Sequence, residues 1–401
     1  MSVVTDFNIA TDLKVEMLLP QDVGNTFVLG ISLLDGPDVL GTDSAGVLAW
    51  QDLACEVNRV QTTIGGAMAS NVYYQADSGK ANIQLQSWEF DPNNYTYIRP
   101  STQIRVRVVK GGYSFIVWKG FVDNIQVEYA PDQKNQITID ATDLWALLVN
   151  RRFDYYPDAF SPDLIDPSYA LDAAAYWLTM SGFPLEANPG PTINPQPMMT
   201  TLEQENVTFG AVVANILNSG LGFTWVNPNT DELEYRTRAY SGLPIYTIGN
   251  NHGDANHLCM ADLSMTSRSD DIYNNVLITQ KNQYLDIVKW VALYKDQDSI
   301  DLFGERSDDF TVDLARLEDA ALWSQLVFTA KPQNVVQDVT TPAIDRSRNL
   351  TEAIEFMPGD FVGVVYETDD INIDTDYTVT RVRHSIDVNN WFTTLEVWKE
   401  F

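Results

Sequence analysis

Two stretches of the sequence gather side chains that could do chemistry. In the first, Asn251 to Cys259, stand His252, His257 and Cys259, which are two of the three histidines and one of the two cysteines. Imidazole and thiolate are zinc ligands, and zinc wants them converging in a tetrahedron. Here all three sit in one short stretch, and no second Cys/His pair occurs elsewhere to complete the set. A polar loop accounts for them better. In the second, Asp369, Asp370, Asp374 and Asp376 form an acidic run between two apolar stretches. Calcium loops also cluster carboxylates, but the central glycine and closing glutamate of the EF-hand are missing. A solvated turn is the expectation.

Glycoside hydrolysis needs two acids flanking a cleft, and among 55 Asp and Glu the sequence singles out no such pair. Gly-x-Ser-x-Gly, the Gly-x-x-x-x-Gly-Lys phosphate loop, Gly-x-Gly-x-x-Gly and His-Glu-x-x-His are all missing. The 10 Trp and 18 Tyr could stack on sugars if exposed, but large aromatics more often fill cores or subunit interfaces. The residues therefore assign no catalytic side chain, no cofactor and no metal, and the expectation is a protein that is not an enzyme.

Charge narrows the partners. Twenty-five Lys and Arg face 55 acids, giving −30. Such a surface repels phosphate backbones and argues against nucleic-acid recognition; the same repulsion would suit the wall of a conduit past which DNA slides. Met1 to Pro20 lacks the basic stretch and apolar core of a secretory signal. No window approaches the roughly 18 apolar residues of a membrane helix, so no membrane span is expected, and synthesis in the cytoplasm is. There, Cys55 and Cys259 read as buried thiols, with a disulfide the alternative.

The elements that must position these residues are mostly strands. Ile83 and Leu85, then Ile104, Val106 and Val108, then Ile137, Ile139 and Ala141, alternate with polar residues. That period puts one face on a core. Turn clusters at Asp77-Ser78-Gly79, Asp91 to Asn94, Gly111-Gly112 and Pro131-Asp132 divide the runs, and a barrel or sandwich follows. Thr142 to Leu148 reads as one or two closing helical turns. Beyond a loop at 151–167, Leu171, Ala174, Ala175 and Leu178 share a helical face, and Gly182 with Pro184 supplies a stop.

Phe209, Val212, Val213, Ile216 and Leu217 make one apolar stripe. Thr208 is placed to cap that helix, and Gly220 or Gly222 to end it. A hairpin around Asn227-Pro228-Asn229 follows. Strands are expected at Asn275–Thr279, Tyr284–Tyr294 and Asp301–Asp309. Leu314, Leu317, Ala321 and Leu322 mark a helix near 313–328, closed by Pro332. The chain ends in three more strands, Phe361–Tyr366, Tyr377–His384 and Trp391–Trp398. A β region at each end of an α+β piece hints at a loose duplication.

Several segments stand in an order that resembles one family. They are Cys55 to Arg59, Ala76 to Leu85, Phe90-Asp91-Pro92-Asn93, Arg99-Pro100, Ile104-Arg105-Val106, Lys119 to Asp123 and Ile137 to Leu148. Further pieces are residues 209–238, Ser267-Arg268, Asn274-Asn275-Val276, Phe303 to Arg306, Pro358-Gly359-Asp360, and Val382 to Ile386 with Trp391 to Val397. In this order they resemble bacteriophage tail hub and tail-associated minor tail proteins. The family's first strand–turn glycine is shifted here to Gly65-Gly66, and no fibre or hydrolase module is expected after Phe401, so wall degradation is not carried over.

The resemblance implies a mainly β fold with an α+β insertion. Two tube-like β-barrel domains would occupy 1–150 and 266–401, the second drawn from about 266–310 and 330–401 with an inserted helix near 313–328. An α+β insertion domain would fill 151–265. It further implies a trimeric, pseudo-sixfold hub ring at the distal end of the tail in the virion, continuing the tail tube, closing its end and passing DNA on infection. Partners would be further copies of the chain, a distal tail protein, the tape-measure protein and other tail-tip or fibre proteins, with DNA only as passing cargo. The alternatives are a distal tail adaptor, a baseplate protein, a receptor- or glycan-binding tail protein, and a surface-polysaccharide hydrolase.

Overall fold

The computed structural model describes residues 8–20, 48–53, 56–68, 73–88, 100–129, 131–152, 166–180, 185–188, 197–199, 207–237, 243–251, 256–266, 272–282, 287–328, 335–344 and 351–399. The chain is mainly β, as its alternating runs require. Ile104, Val106 and Val108 are wholly buried, while Arg105 and Arg107 between them face outward. The same holds for Ile83 and Leu85, and for Ile137, Ile139 and Ala141.

Among the described residues fourteen strands join in one sheet. Its path runs through Leu48–Asp52, Leu13–Pro20, Gln103–Lys110, Tyr113–Glu128, Asn135–Thr142, Lys80–Ser87 and Glu56–Gly65. From there it crosses to Asn372–Asp387, Phe361–Glu367, Tyr246–Gly249 and His257–Cys259. A branch leaves Asn372–Asp387 through Trp391–Trp398 and Val335–Pro342 to Asp262–Thr266.

Strand order is duplicated within this sheet. Glu56–Gly65, Lys80–Ser87, Asn135–Thr142, Tyr113–Glu128 and Gln103–Lys110 pair antiparallel in that sequence. Asp262–Thr266, Val335–Pro342, Trp391–Trp398, Asn372–Asp387 and Phe361–Glu367 do the same. Both sets contain a strand of 16 residues that changes neighbour along its length. Tyr113–Glu128 pairs first with Gln103–Lys110 and then with Asn135–Thr142. Asn372–Asp387 pairs first with Phe361–Glu367 and then with Trp391–Trp398.

The core is shared between the halves. Ile386, Trp391 and Trp398 pack in one cluster with the N-terminal strands, and Val339, Val362, Val364, Val379, Val382 and Leu395 form a second. The crossing from Glu56–Gly65 to Asn372–Asp387 depends on Gly65. Its φ is +89°, and a Cβ there would lie 2.5 Å from the Thr380 carbonyl oxygen, so only glycine fits without strain.

The middle of the chain follows its sequence signals closely. Pro167–Met180 is a helix that buries Leu171, Ala174, Ala175 and Leu178; the expected stop at Gly182 and Pro184 lies outside the described residues. Phe209–Gly220 is the second helix, and its whole apolar stripe is buried. The Thr208 hydroxyl accepts a hydrogen bond from the Ala211 amide at 3.2 Å. The helix ends at Gly220, one of the two glycines expected, but the left-handed residue that caps it is Leu221 (φ 48°). Gly220 and Gly222 serve close packing instead: a Cβ on either would sit 2.8 Å or less from the Tyr235 ring or hydroxyl. The hairpin Gly222–Val226 with Leu233–Thr237 completes a small sheet with Ala187–Asn188.

From 246 onward the strand pairing departs from the expected division at 265/266. Tyr246–Gly249, His257–Cys259 and Asp262–Thr266 join the large sheet. Asn275–Asn282, Ile287–Lys295 and Ser307–Thr311 form a three-stranded sheet of their own. Periodicity says which side chains face a core, not which strand lies alongside. Asp301, expected in a strand, lies in the helix Gln297–Phe303, whose Asp296 side chain accepts from the Ser299 amide at 3.1 Å.

The following helix is Leu317–Phe328, and it buries Ala320, Trp323, Ser324 and Val327. Leu317 is exposed and Ala321 and Leu322 are only half-buried, so the expected face was turned by one residue. Trp323 decides the orientation, because it packs on Phe310 at 5.2 Å and donates its indole N–H to the Asn218 carbonyl. Pro332 lies outside the described residues.

Candidate functional site

The residues expected to carry chemistry are dispersed. His257 and Cys259 stand two apart on one strand, opposite Thr247 and Gly249, and His252 lies outside the described residues. Asp369 and Asp370 sit at a turn, whereas Asp374 and Asp376 belong to a strand, opposite Val365 and Gly363. The solvated-turn reading therefore covers only the first two. Burial and the Asp374 charge raise the Asp376 pKa. Among the described residues no group of three or more His, Cys, Asp or Glu is placed to hold a metal ion.

Two clusters of charged side chains among the described residues tie strands of the large sheet together. The first is the crossing between the halves. Arg381 and Arg383 project from the same face of their strand and both reach Glu396, at 3.3 and 2.7 Å. Arg381 also approaches Asp77, and Arg383 approaches Asp338. Burial outweighs the two guanidiniums and leaves the Glu396 pKa above its ordinary value. On the opposite face His384 is buried, hydrogen-bonded to the Thr393 hydroxyl at 3.0 Å. The Trp391 indole N–H donates to its Nδ1 at 3.3 Å. Burial pushes the His384 pKa down to about 3, so it is a neutral structural group at physiological pH.

The second place is the outer face of the N-terminal strands. Glu16 accepts from the Arg105 Nε at 2.6 Å and the Arg107 Nε at 2.8 Å. Burial raises its pKa, but the bonds from Arg107 and Arg105 prevail and hold the carboxyl below its usual range. The Arg105 guanidinium lies 4.1 Å over the Trp50 ring, a cation–π contact. Sequence reasoning missed this cluster. Its signal was the outward parity of Arg105 and Arg107, but their acid is a distant residue whose strand is known only from the pairing.

A cleft of about 290 Å3 opens beside this face, lined by Gln103, Lys119, Phe121, Leu144, Pro228 and Asp231 among others. Its charged pair, Lys119 and Asp231, is joined in an ion pair. Its lining contains no Ser, Thr, Cys or His. The charged clusters of the described residues are ionic ties between neighbouring strands.

This architecture is the fold of phage tail proteins. Three solved structures share it: a tail protein from Neisseria meningitidis (TM-score 0.57, 14% identity, 97% of this chain and 97% of that one); the 43 kDa tail protein of prophage MuSo2 from Shewanella oneidensis (0.55, 14%, 88% and 96%); and the prophage tail protein gp18 from Listeria monocytogenes (0.50, 12%, 88% and 92%). No protein-family model matches the sequence, and no curated protein does. No helix of the described residues is long and apolar enough to cross a membrane.

Proposed function

We propose that this chain is a structural subunit of a phage tail, the hub of the tail tip, and that it works by assembly without catalysis. The observation that carries the reading is the duplicated order of five strands, set in a fold that phage tail proteins share. A chain holding two like units gives six units from three copies, so a threefold ring mimics sixfold symmetry and can continue a sixfold tube. Each strand set would curl into a barrel. In the C-terminal one, residues 257–266 serve both edges, pairing through His257–Cys259 with Tyr246–Gly249 and through Asp262–Thr266 with Val335–Pro342.

In this role the ring sits at the distal end of the tail in the virion. It meets a distal tail protein and the tape-measure protein, carries other tip or fibre proteins, and passes DNA as cargo. The −30 charge keeps the DNA backbone from adhering to the wall.

Gold-labelled antibody against the chain, applied to intact and mildly disrupted phage particles, tests the reading. Label at the distal end of the tail is expected. Label absent from both, with the protein free in the host cell, would overturn it.

A further inference from the structure

The duplication leaves a mismatch between the two halves. In the N-terminal set, Glu56–Gly65 has neighbours on both sides: Lys80–Ser87 on one and Asn372–Asp387 of the other half on the other. Its counterpart Asp262–Thr266 pairs only with Val335–Pro342 among the described residues. Likewise residues 381–387 lie between Trp391–Trp398 and Glu56–Gly65. Their counterparts at the end of Tyr113–Glu128 pair only with Asn135–Thr142 among the described residues. One joint is thus made within the chain, and the two edges that would make its equivalent have no second neighbour among the described residues.

Burial records the missing neighbour. The bulges match Val122 to Val379 and Asn124 to Arg381, so Ile125 and Val127 correspond to Val382 and His384. Val382 and His384 are fully buried, whereas Ile125 and Val127 are only half-buried. On the other edge, the pairings opposite Asn82 and Asp338 match Gln61 to Ser264, hence Val60 to Leu263 and Thr62 to Met265. Val60 is 0% and Thr62 2% exposed, but Met265 is 37% exposed and Leu263 half-buried. Inward-facing apolar residues on an open ladder edge are what proteins avoid unless a strand covers them.

We propose that the open edge of Asp262–Thr266 pairs antiparallel with residues 126–128 of the next copy of this chain, repeating between copies the joint that Glu56–Gly65 and Asn372–Asp387 make within one. This rests on the hub reading and names the contact that builds its ring. The register carries over from the internal joint, in which Gln61 faces Ser385 and Thr62 faces His384. Ser264 then faces Glu128, and Met265 faces Val127, of the neighbour. Each copy offers one edge of each kind, so the contact is head-to-tail, the kind that builds a ring when its rotation closes. The sheet becomes continuous around that ring, and these two edges no longer stand exposed to recruit a foreign strand.

Paired cysteines test the register. Phage particles would carry the chain with Ser264→Cys and Glu128→Cys together, with each alone, and with Gln61→Cys and Ser385→Cys together as the internal reference. After mild oxidation and denaturing electrophoresis, the 264/128 double variant is expected to run as covalent dimers and trimers that reductant collapses. Each single variant should run as one chain, and the 61/385 variant as one chain of altered mobility. Particles that contain the protein and form the 61/385 bridge, yet give no ladder with 264/128, overturn the edge pairing and leave the hub reading standing. Particles that lack even the unsubstituted protein overturn both.

Discussion

Val122 and Val379 hold the same position in the two halves of the sheet. Each sits opposite its partner, Ala141 or Val397, and each is followed by one residue without a partner before pairing resumes at Asn124–Asp140 or Arg381–Glu396. These unpartnered residues, Asp123 and Thr380, are β-bulges, and they bend and twist the long strand where it leaves one neighbour for the next.

The bulge absorbs one residue without moving the register beyond it. Removing Thr380 leaves Val379 opposite Val397 and Arg381 opposite Glu396, with Val382, His384 and Ile386 still facing inward; what is lost is the local bend and twist. Inserting one residue after Val382 instead slips the rest of the strand and turns His384 and Ile386 outward, because a one-residue slip exchanges the faces of a strand. The insertion is expected to abolish soluble, cooperatively unfolding protein, whereas the Thr380 deletion should still fold and melt at a lower temperature than the parent. Circular dichroism melts of both would check it; an insertion variant that unfolds like the parent would mean that the inward face of this strand does not hold its register.

The ionic cluster on the outer face should matter measurably. Glu16→Gln leaves the guanidiniums of Arg105 and Arg107 without their carboxylate. Hydrogen bonds to charged groups contribute roughly 1.5–3 kcal/mol, so a loss of about 2 kcal/mol is expected in denaturant unfolding at pH 7. The carboxyl is held below its ordinary value of 4.5. Its contribution is therefore present above that value and lost as pH falls below it. The gap between parent and variant should close in acid; a gap unchanged at pH 3 would show that the carboxylate charge is not its source.

Asp143 works in the opposite sense. It caps the helix Leu144–Leu148, accepting from the Trp145 amide at 3.1 Å. Burial pushes its pKa from 3.8 up to about 7, against the hydrogen bonds it accepts. A raised carboxyl pKa means that the folded chain holds a proton the unfolded chain has lost, so stability falls as pH rises from about 4 to about 7. Asp143→Asn keeps the cap and removes the titration. Its melting temperature should be flatter than the parent's over that interval, as calorimetry at stepped pH would reveal; parallel profiles would place the titration elsewhere.

Self-association should respond to salt. Each copy carries a net charge of −30, and like charges on approaching copies are screened over about 10 Å at 0.1 M salt against about 30 Å at 0.01 M. Purified chain is expected to associate more tightly at the higher salt, on the order of tenfold. Sedimentation at several concentrations would measure this. Association that weakens with salt would point to attractive charge pairs across the contact in place of an apolar edge.

The sequence by itself determined the local structure. Alternation at Ile104, Val106 and Val108 gave strand and inward face together, because side chains on a strand have a period of two. The stripe from Phe209 to Leu217 gave a helix, its buried face and its Thr208 cap for a similar reason. The resemblance carried by ordered short segments anticipated the fold of phage tail proteins.

What only the tertiary structure decided was neighbourhood. Nothing in the patterning of Asp262–Thr266 says that it joins the C-terminal strands, or that Asn275–Asn282 does not, because ladder partners are chosen by backbone hydrogen bonds that any sequence supplies. The same limit hid the tie from Glu16 to Arg105 and Arg107, and the turn of the Leu317–Phe328 helix toward Trp323. It also hid the duplication, since Val122 and Val379 are alike in their pairing while the residues around them differ. A fold repeats its geometry through register and bulges, and these leave no fixed mark on side-chain identity.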